Sequence, residues 1–184
     1  MPDDTATADA ASTSALLQAH IRDIPDFPHP GVLFKDITPL LNSREAFAAA
    51  VDGLAAPFLG AGVDHVLGLE ARGFIFGAPV AMALGAGFVP ARKAGKLPSR
   101  TIGQAYDLEY GTATVEIHAD AVTAGSRVLI VDDVLATGGT GRAAVDLVRK
   151  AGGTVVGFSV LMELRALRGR EKMPDVEPHT LLSV

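Results

Sequence analysis

Short apolar runs alternate with longer segments of helical periodicity through most of the chain. The apolar runs are too short for buried helices, so we expect them to form buried strands. They are residues 63–69, 87–91, 127–131 and 154–161. Residues 112–118 alternate between apolar and polar side chains and therefore predict a half-exposed strand.

Four segments with apolar residues three and four positions apart predict helices. The first covers residues 14–22, and the second begins at Asn42 and Glu45, whose spacing resembles a capping box. The third runs over about 73–84, and the fourth over about 140–151 before a glycine pair. Helices therefore separate most of the predicted strands.

This alternation of strands and helices predicts an α/β fold with a central parallel sheet and helices on both faces. Such sheets bind ligands in the crevice at the carboxyl ends of their strands. Residues 70–73 and 132–140 each follow a predicted strand. We therefore expect both segments to lie on the same rim of the sheet.

Two N-terminal segments lack a regular pattern. Residues 1–14 are mainly Ala, Thr, Asp and Ser, a composition that predicts a disordered tail. Residues 24–39 contain Pro25, Pro28, Pro30 and Gly31, which favour an irregular loop over a long regular element. The expected organisation is a tail followed by a single domain over residues 15–184.

Composition excludes several classes of protein. The 184-residue chain is 48% hydrophobic, has a formal net charge of −5 and contains no cysteine. No disulfide or thiolate metal site can form, which fits a cytoplasmic location. The negative charge disfavours a nucleic-acid binder, and no apolar run approaches the roughly 18 residues that span a bilayer. The five histidines share no spacing, so no zinc site is expected.

The segment with the most chemical information is residues 128–140, Val-Leu-Ile-Val-Asp-Asp-Val-Leu-Ala-Thr-Gly-Gly-Thr. Asp132 and Asp133 follow an apolar strand and can accept hydrogen bonds from a sugar diol. Gly138 and Gly139 free the backbone to form an anion-binding nest, at the amino terminus of the next helix. These features indicate a site for a phosphorylated sugar. The alternative is an ordinary strand–turn–helix with exposed acids.

Residues 128–140 resemble the phosphoribosyl-pyrophosphate fingerprint of the type I phosphoribosyltransferases. The resemblance implies that Asp132 and Asp133 bind the ribose hydroxyls. It also implies that a five-residue loop surrounds the 5-phosphate. The residues of this loop are Ala136, Thr137, Gly138, Gly139 and Thr140.

Four further stretches resemble the members of this family that use adenine. They are residues 27–37, 71–77, 92–98 and 106–111, and the whole resemblance runs from about residue 21 to residue 170. It implies the type I fold, with a small N-terminal hood over about 24–38 and a mobile flap over about 92–112.

The hood implied by the resemblance binds the base. The Phe34 ring stacks on adenine, and the backbone of Leu33 and Lys35 reads the edge of the base. Family members often carry Arg where Lys35 stands, which matters little if the contact is through the backbone. Ordinary core packing is the alternative for Phe34.

Two segments are expected to bind pyrophosphate. In the family, the loop matching Ala71 and Arg72 grips pyrophosphate and has an unusual peptide geometry, whereas Glu70 often has Asp as its counterpart. Four cations lie between residues 92 and 100 with no acid among them. They are Arg92, Lys93, Lys96 and Arg100, and in the family the residue matching Arg92 tends to reach a neighbouring subunit's site. A solvated basic loop is the alternative.

The flap contains the expected proton-handling group. The resemblance implies that Glu109 lies near the base and assists proton transfer at adenine N7, while Arg72 acts on the leaving group. Tyr106 and Tyr110 either cover the site or pack within the flap.

The resemblance therefore implies transfer of a 5-phosphoribosyl group from phosphoribosyl pyrophosphate to adenine, giving AMP and pyrophosphate in purine salvage. Magnesium is expected as cofactor, bound mainly by substrate and water and not by a protein metal site. A homodimer is expected, with neither nucleic acid nor membrane as partner. The alternatives are a transferase for hypoxanthine, guanine or xanthine, and a non-catalytic regulator that retains the sugar-phosphate site.

Overall fold

The computed structural model describes residues 4–107 and 111–184, with side chains from residue 11 onward. The chain divides into two compact units, residues 1–52 and 53–184. The sequence predicted one domain over residues 15–184. No Gly- or Pro-rich linker marks the division, because it falls inside the helix Arg44–Ala55.

The first unit contains two helices, a two-stranded sheet and most of a third helix. These elements are α1 (Asp4–Ala19), β1 (Arg22–Pro25), β2 (Leu33–Asp36), α2 (Thr38–Asn42) and α3 (Arg44–Ala55). The expected disordered tail is wrong for residues 4–14, which are helical, and α1 ends at Ala19, short of the predicted residue 22. The segment is rich in Ala, the strongest helix former, whereas the prediction of disorder used only its low hydrophobicity.

The predicted loop over residues 24–39 contains an antiparallel hairpin, in which Ile24 lies opposite Phe34. Pro25 ends β1, while Pro28 and Pro30 lie in the connection between the strands. Proline therefore does not interrupt the pairing. The helix α3 begins one residue later than the predicted capping box, because Ser43 Oγ accepts a hydrogen bond from Ala46 N at 3.2 Å.

The second unit is an α/β layer structure around a seven-stranded, mostly parallel sheet. Its elements are β3 (His65–Leu69), α4 (Gly73–Leu84), β4 (Gly87–Lys93), β5 (Thr101–Asp107), β6 (Thr112–His118), β7 (Arg127–Leu135), α5 (Gly139–Lys150), β8 (Thr154–Glu163) and β9 (Pro178–Ser183). The spatial order is β5-β6-β4-β3-β7-β8-β9. Strands β4, β3, β7, β8 and β9 are parallel, and the hairpin β5–β6 joins β4 in antiparallel pairing. The predicted fold class is confirmed.

Helices α4 and α5 pack on opposite faces of this sheet. Leu67 and Ile130 belong to the core cluster formed with α5. Gly68, the next residue of β3 after Leu67, belongs to the opposite face of the sheet, against which α4 packs. A Cβ on Gly77 of α4 would lie 3.2 Å from the Cα of Gly68. This close approach brings the first turn of α4 against the carboxyl end of β7.

Two strands of the sheet were not predicted. The strand β5 occupies part of the segment assigned to the flap, and its residues Ile102 and Tyr106 pack against the α5 core. The strand β9 is short and pairs with β8 over Pro178–Ser183. Both depend on pairing partners distant in the sequence. None of the helices within the described residues is long and apolar enough to span a membrane.

Candidate active site at the carboxyl ends of β3 and β7

The loop after β7 is the turn that precedes α5. The strand continues to Leu135, so Asp132 and Asp133 lie within it and not beyond it. Gly138 adopts a left-handed conformation with φ 78° and ψ −4°, and Gly139 begins α5. Of the two loop glycines, only Gly138 has positive φ. The expected conformational freedom is therefore required at Gly138.

A small cavity of about 70 Å³ opens in this loop. It is several times the roughly 10–15 Å³ needed to hold one water, so it accommodates a phosphate-sized group. Its wall includes every predicted phosphate-loop residue and Asp132. The lining residues are Asp132, Val134, Leu135, Ala136, Thr137, Gly138, Gly139, Thr140, Gly141 and Phe158.

The two carboxylates of β7 have different surroundings. Asp133 is 5% exposed, and its Oδ2 lies 2.7 Å from Arg72 Nε. Asp132 Oδ1 accepts a hydrogen bond from the backbone N–H of Asp133 at 2.9 Å. Burial, followed by the charge of Asp133, raises the pKa of Asp132 well above its ordinary value. Burial also raises the pKa of Asp133, and the Arg72 guanidinium opposes that shift.

The loop after β3 lies directly beside this acidic pair. The Glu70–Ala71 peptide bond is cis, which matches the unusual geometry implied for this loop. A Cβ on Gly73 would lie 2.8 Å from Val131 O and 2.9 Å from Asp132 Oδ1, so only glycine fits there. With the Arg72–Asp133 ion pair, these contacts confirm that the two loops lie on one rim.

The structure brings the end of β4 and the basic turn that follows it to Glu70. Glu70 Oε1 lies 2.7 Å from Lys96 Nζ, and Glu70 Oε2 accepts a hydrogen bond from the Lys93 backbone N–H at 2.9 Å. Arg92 Nε lies 3.6 Å from the same oxygen. The hydrogen bond from Lys96 is the largest of the contacts that hold the pKa of Glu70 below its ordinary value. The segment is therefore tied to Glu70 through the Lys96 side chain and the Lys93 backbone.

Sequence reasoning missed how acids organise these cations. A second acid, Glu116 of β6, accepts a hydrogen bond from Gly95 N at 3.1 Å. The Lys93 side chain is exposed and makes no ion pair with the described part of the chain. Arg100 is exposed, follows the bend at residues 97–99, and is not one of the residues that contact Glu70. Residues 92–100 contain no acid, and Glu70 is distant in sequence, so the local pattern could not predict that Glu70 binds this segment.

The end of the β5–β6 hairpin lies against the phosphate-loop residues. A Cβ on Gly139 would lie 3.4 Å from Asp107 O and 3.6 Å from Tyr106 Cδ2. Tyr106 is thus beside the loop as well as packed on the core. The predicted proton-handling residue Glu109, with its neighbour Tyr110, falls outside the residues that the structure describes.

The predicted base-binding residues lie on β2 of the first unit. The rings of Phe34 and Phe27 meet edge to face with centroids 5.1 Å apart. Phe27 N donates to Val32 O, so the carbonyl of Val32 faces the β1 side of the hairpin. Because hydrogen-bonding direction alternates along a strand of an antiparallel pair, the backbone groups of Leu33 and Lys35 face away from β1. Pro25, opposite Leu33, has no N–H to donate, which is consistent with this direction. Lys35 Nζ forms an ion pair with Asp23 at 2.7 Å.

The segment behind the phosphate loop was also missed. Gly169 packs its backbone against Gly138 and Ala136. Arg170 follows it and is bound to the buried Glu163 at the end of β8. No local pattern marks these residues, because the contact joins two turns separated by α5 and β8.

Known proteins resemble this chain in sequence. The family model of the phosphoribosyl transferase domain matches residues 40–181. An adenine phosphoribosyltransferase of Thermobifida fusca is 68% identical over 175 residues, covering 95% of this chain and 99% of the relative.

Solved structures are also similar. The adenine phosphoribosyltransferase of Rhodothermus marinus superposes with a TM-score of 0.91 at 50% identity, covering 95% of this chain and 99% of that one. The Saccharomyces cerevisiae enzyme, complexed with adenine and an imino-altritol bisphosphate, has a TM-score of 0.89 at 40% identity, covering 94% and 99% of the two chains. The chain belongs to the adenine phosphoribosyltransferases, within the phosphoribosyl transferase domain family.

Proposed function

We propose that this protein transfers the 5-phosphoribosyl group from phosphoribosyl pyrophosphate to N9 of adenine, releasing pyrophosphate and forming AMP. One observation carries the proposal. The acidic end of β7, its glycine loop and the Arg72 loop meet on one rim, where they can hold the sugar, the 5-phosphate and the leaving group together.

The phosphate loop and the acidic pair bind the phosphoribosyl group. Ala136–Thr140 surround the 5-phosphate with backbone N–H groups and the hydroxyls of Thr137 and Thr140. Asp132 and Asp133 accept hydrogen bonds from the ribose hydroxyls. The cavity of about 70 Å³ supports this division, because it is lined by the whole loop and reaches Asp132.

The pyrophosphate group contacts Ala71, Arg72, Arg92, Lys93 and Lys96. Their guanidinium and ammonium groups neutralise the charge that develops on the leaving pyrophosphate. The exposed side chain of Lys93 is available for this contact, whereas Lys96 must exchange its bond to Glu70 for one to substrate.

Adenine binds at Leu33, Phe34 and Lys35. The backbone groups of Leu33 and Lys35 that face away from β1 supply the donor and acceptor for the purine edge, and the Phe34 ring stacks on its face. The Saccharomyces cerevisiae relative is complexed with adenine, which supports a base of this type.

The chemical step is displacement at the anomeric carbon through a loose, cation-like ribosyl group. Positioning and electrostatics supply most of the rate enhancement. Glu109 takes part in proton transfer at adenine N7, and closure of the flap excludes water that would otherwise attack the sugar.

Magnesium fits this site as an ion carried largely by the substrate. Carboxylate and phosphate oxygens are the ligands that it prefers. Among residues 4–107 and 111–184, no group of three or more acidic or histidine side chains is arranged to hold a metal. Substrate oxygens and water would supply most of the coordination, and the ion would neutralise charge on the leaving pyrophosphate.

We also propose a homodimer formed through α4. This helix has no polar side chain, although Ile75, Ala78 and Met82 on one face are exposed and Met82 is 84% exposed. A helix that is apolar on all sides is normally buried. A second copy of the chain matches this face, because a two-fold interface between identical apolar surfaces is self-complementary. A cytoplasmic location stays a prediction.

The direct test is product formation with each free purine base, phosphoribosyl pyrophosphate and magnesium. Adenine should be consumed far faster than hypoxanthine, guanine or xanthine, because the β2 backbone reads the 6-amino edge. Comparable turnover of guanine would contradict the adenine assignment, and absence of turnover with every base would favour a regulator.

A further inference from the structure

Glu163 is a buried carboxylate that the proposed reaction does not use. It ends β8 with 4% of its surface exposed. Arg170 Nε lies 2.8 Å from each of its two carboxylate oxygens, and another nitrogen of Arg170 bonds Glu177. The Glu163 carboxylate is buried, whereas the Arg170 side chain is 32% exposed. A buried carboxylate needs a well-placed partner to offset its desolvation, so this pair holds Arg170 in one place.

Arg170 follows the glycine that supports the phosphate loop. Gly169 is buried, and a Cβ on it would overlap Ala136 O and lie 3.1 Å from Gly138 N. Reciprocally, a Cβ on Gly138 would overlap the carbonyl oxygen of Gly169 and lie 3.0 Å from its Cα. The two backbones are thus in direct contact.

This contact is the support for the conformation of Gly138. No side chain among the described residues caps the amino terminus of α5. Gly138 is left-handed and lines the cavity together with Gly139 and Thr140, and a glycine alone has little intrinsic preference for that conformation. Arg168, just before Gly169, also has positive φ at 54°, so this second turn needs an anchor of its own.

We infer that Arg170 is a positioning residue for the 5-phosphate. Its ion pair with Glu163 holds Gly169 behind Gly138, and this contact keeps the phosphate loop in its binding conformation. The inference rests on the proposed role of the loop at residues 136–140 as the 5-phosphate site.

The same segment has a second anchor that provides a matched control. Asp175 forms ion pairs with Arg142 and Arg149 of α5, with Arg142 Nη1 at 3.0 Å. The Asp175 side chain is half-exposed, and none of the described interactions joins it to Gly138 or Gly169. Loss of this anchor tests general stability of the segment without removing the Arg170 contact.

The experiment compares Arg170→Lys, Glu163→Gln and Asp175→Asn. Calorimetric titration gives the Kd for AMP, steady-state kinetics give KM for phosphoribosyl pyrophosphate and for adenine, and melting gives stability. Lysine keeps the charge but loses the planar fork, and Gln keeps the shape but loses the charge. Both variants should raise the Kd for AMP and the KM for phosphoribosyl pyrophosphate by roughly 3- to 30-fold, the range of indirect coupling effects. The KM for adenine should stay unchanged.

Asp175→Asn should lower the melting temperature without changing the Kd for AMP. The inference is overturned if Arg170→Lys and Glu163→Gln behave as Asp175→Asn does, losing stability but binding AMP normally. Gly139→Val separates this failure from failure of the proposed loop. If Gly139→Val abolishes AMP binding while both ion-pair variants retain it, only the role of Arg170 is wrong. If folded Gly139→Val binds AMP normally, the phosphate-loop assignment itself is wrong.

Discussion

Gly138 and Gly139 are adjacent residues with different physical constraints. Gly138 has φ 78°, and any side chain there would meet the backbone of Gly169. A Cβ on Gly139 would make only close van der Waals contact, at 3.4 Å from Asp107 O. Substitution at Gly138 therefore disturbs the fold and the site together, whereas substitution at Gly139 tests the ligand contact.

Gly139→Val should abolish binding of AMP and of phosphoribosyl pyrophosphate, because both carry the 5-phosphate that its side chain would displace. Gly139→Ala should give an intermediate loss. Calorimetric titration of AMP measures the effect, and thermal melting establishes that each variant is folded. Normal AMP affinity in folded Gly139→Val would falsify the assignment of this loop.

Asp132→Asn should weaken ribose binding but stabilise the ligand-free protein at neutral pH. Burial raises the pKa of Asp132, so the folded state retains a proton that the unfolded state releases. Stability is therefore lost as pH rises from the ordinary carboxyl pKa toward the raised one.

The stability that Asp132→Asn gains over the parent protein should therefore increase from acid to neutral pH. Urea unfolding of Asp132→Asn and the parent protein at several pH values measures it. Binding of phosphoribosyl pyrophosphate, followed through its KM, should weaken by about 1.5–3 kcal/mol, the free energy of a lost charge-assisted hydrogen bond. A stability difference that is independent of pH would contradict the raised pKa.

The end of β4 and the turn that follows it combine two kinds of cation. Lys96 is held by Glu70, whereas the exposed Lys93 has no ion-pair partner among the described residues. Lys93→Ala should therefore weaken phosphoribosyl pyrophosphate binding by about 1.5–3 kcal/mol with adenine unaffected. Lys96→Ala should do the same and also leave Glu70 without its main partner. Kinetics unchanged in both variants would favour a role outside substrate binding.

The flap contains Glu109, whose proposed role in proton transfer can be tested by substitution. Glu109→Gln keeps the shape of the side chain but removes its transferable proton. If Glu109 handles the adenine proton, turnover should fall by roughly 10²- to 10⁴-fold with adenine binding little changed. A pH profile of turnover checks the role, since near-normal rates across the whole range would exclude it.

For the whole molecule, the apolar outer face of α4 predicts association. Met82→Lys places a charge in the proposed apolar two-fold interface, where it would be buried without a partner, so the dimer should dissociate. Light scattering or sedimentation measures the mass, with Lys172→Ala as a surface control away from α4. A variant that keeps the same mass as the parent would exclude α4 as the interface, and a monomeric parent would exclude the dimer.

Local sequence signals were enough to predict five of the seven strands of the second unit and both of its α-helices. Four buried strands and the helices at about 73–84 and 140–151 were predicted close to their observed bounds, because apolar periodicity and terminal glycines are local signals. The acid–glycine segment after β7 and the Arg72 loop after β3 were also predicted to share a rim. Parallel strands alone require that arrangement.

The residues that support these loops are brought to them only when distant elements pack together. The contacts Glu70–Lys96, Gly138–Gly169 and Arg170–Glu163 join residues from different elements, and no local pattern encodes them. The strands β5 and β9 were missed for the same reason, because a short strand is defined by its pairing partner. Periodicity reports which face of an element is buried, but the identity of the group across that face depends on how the elements pack.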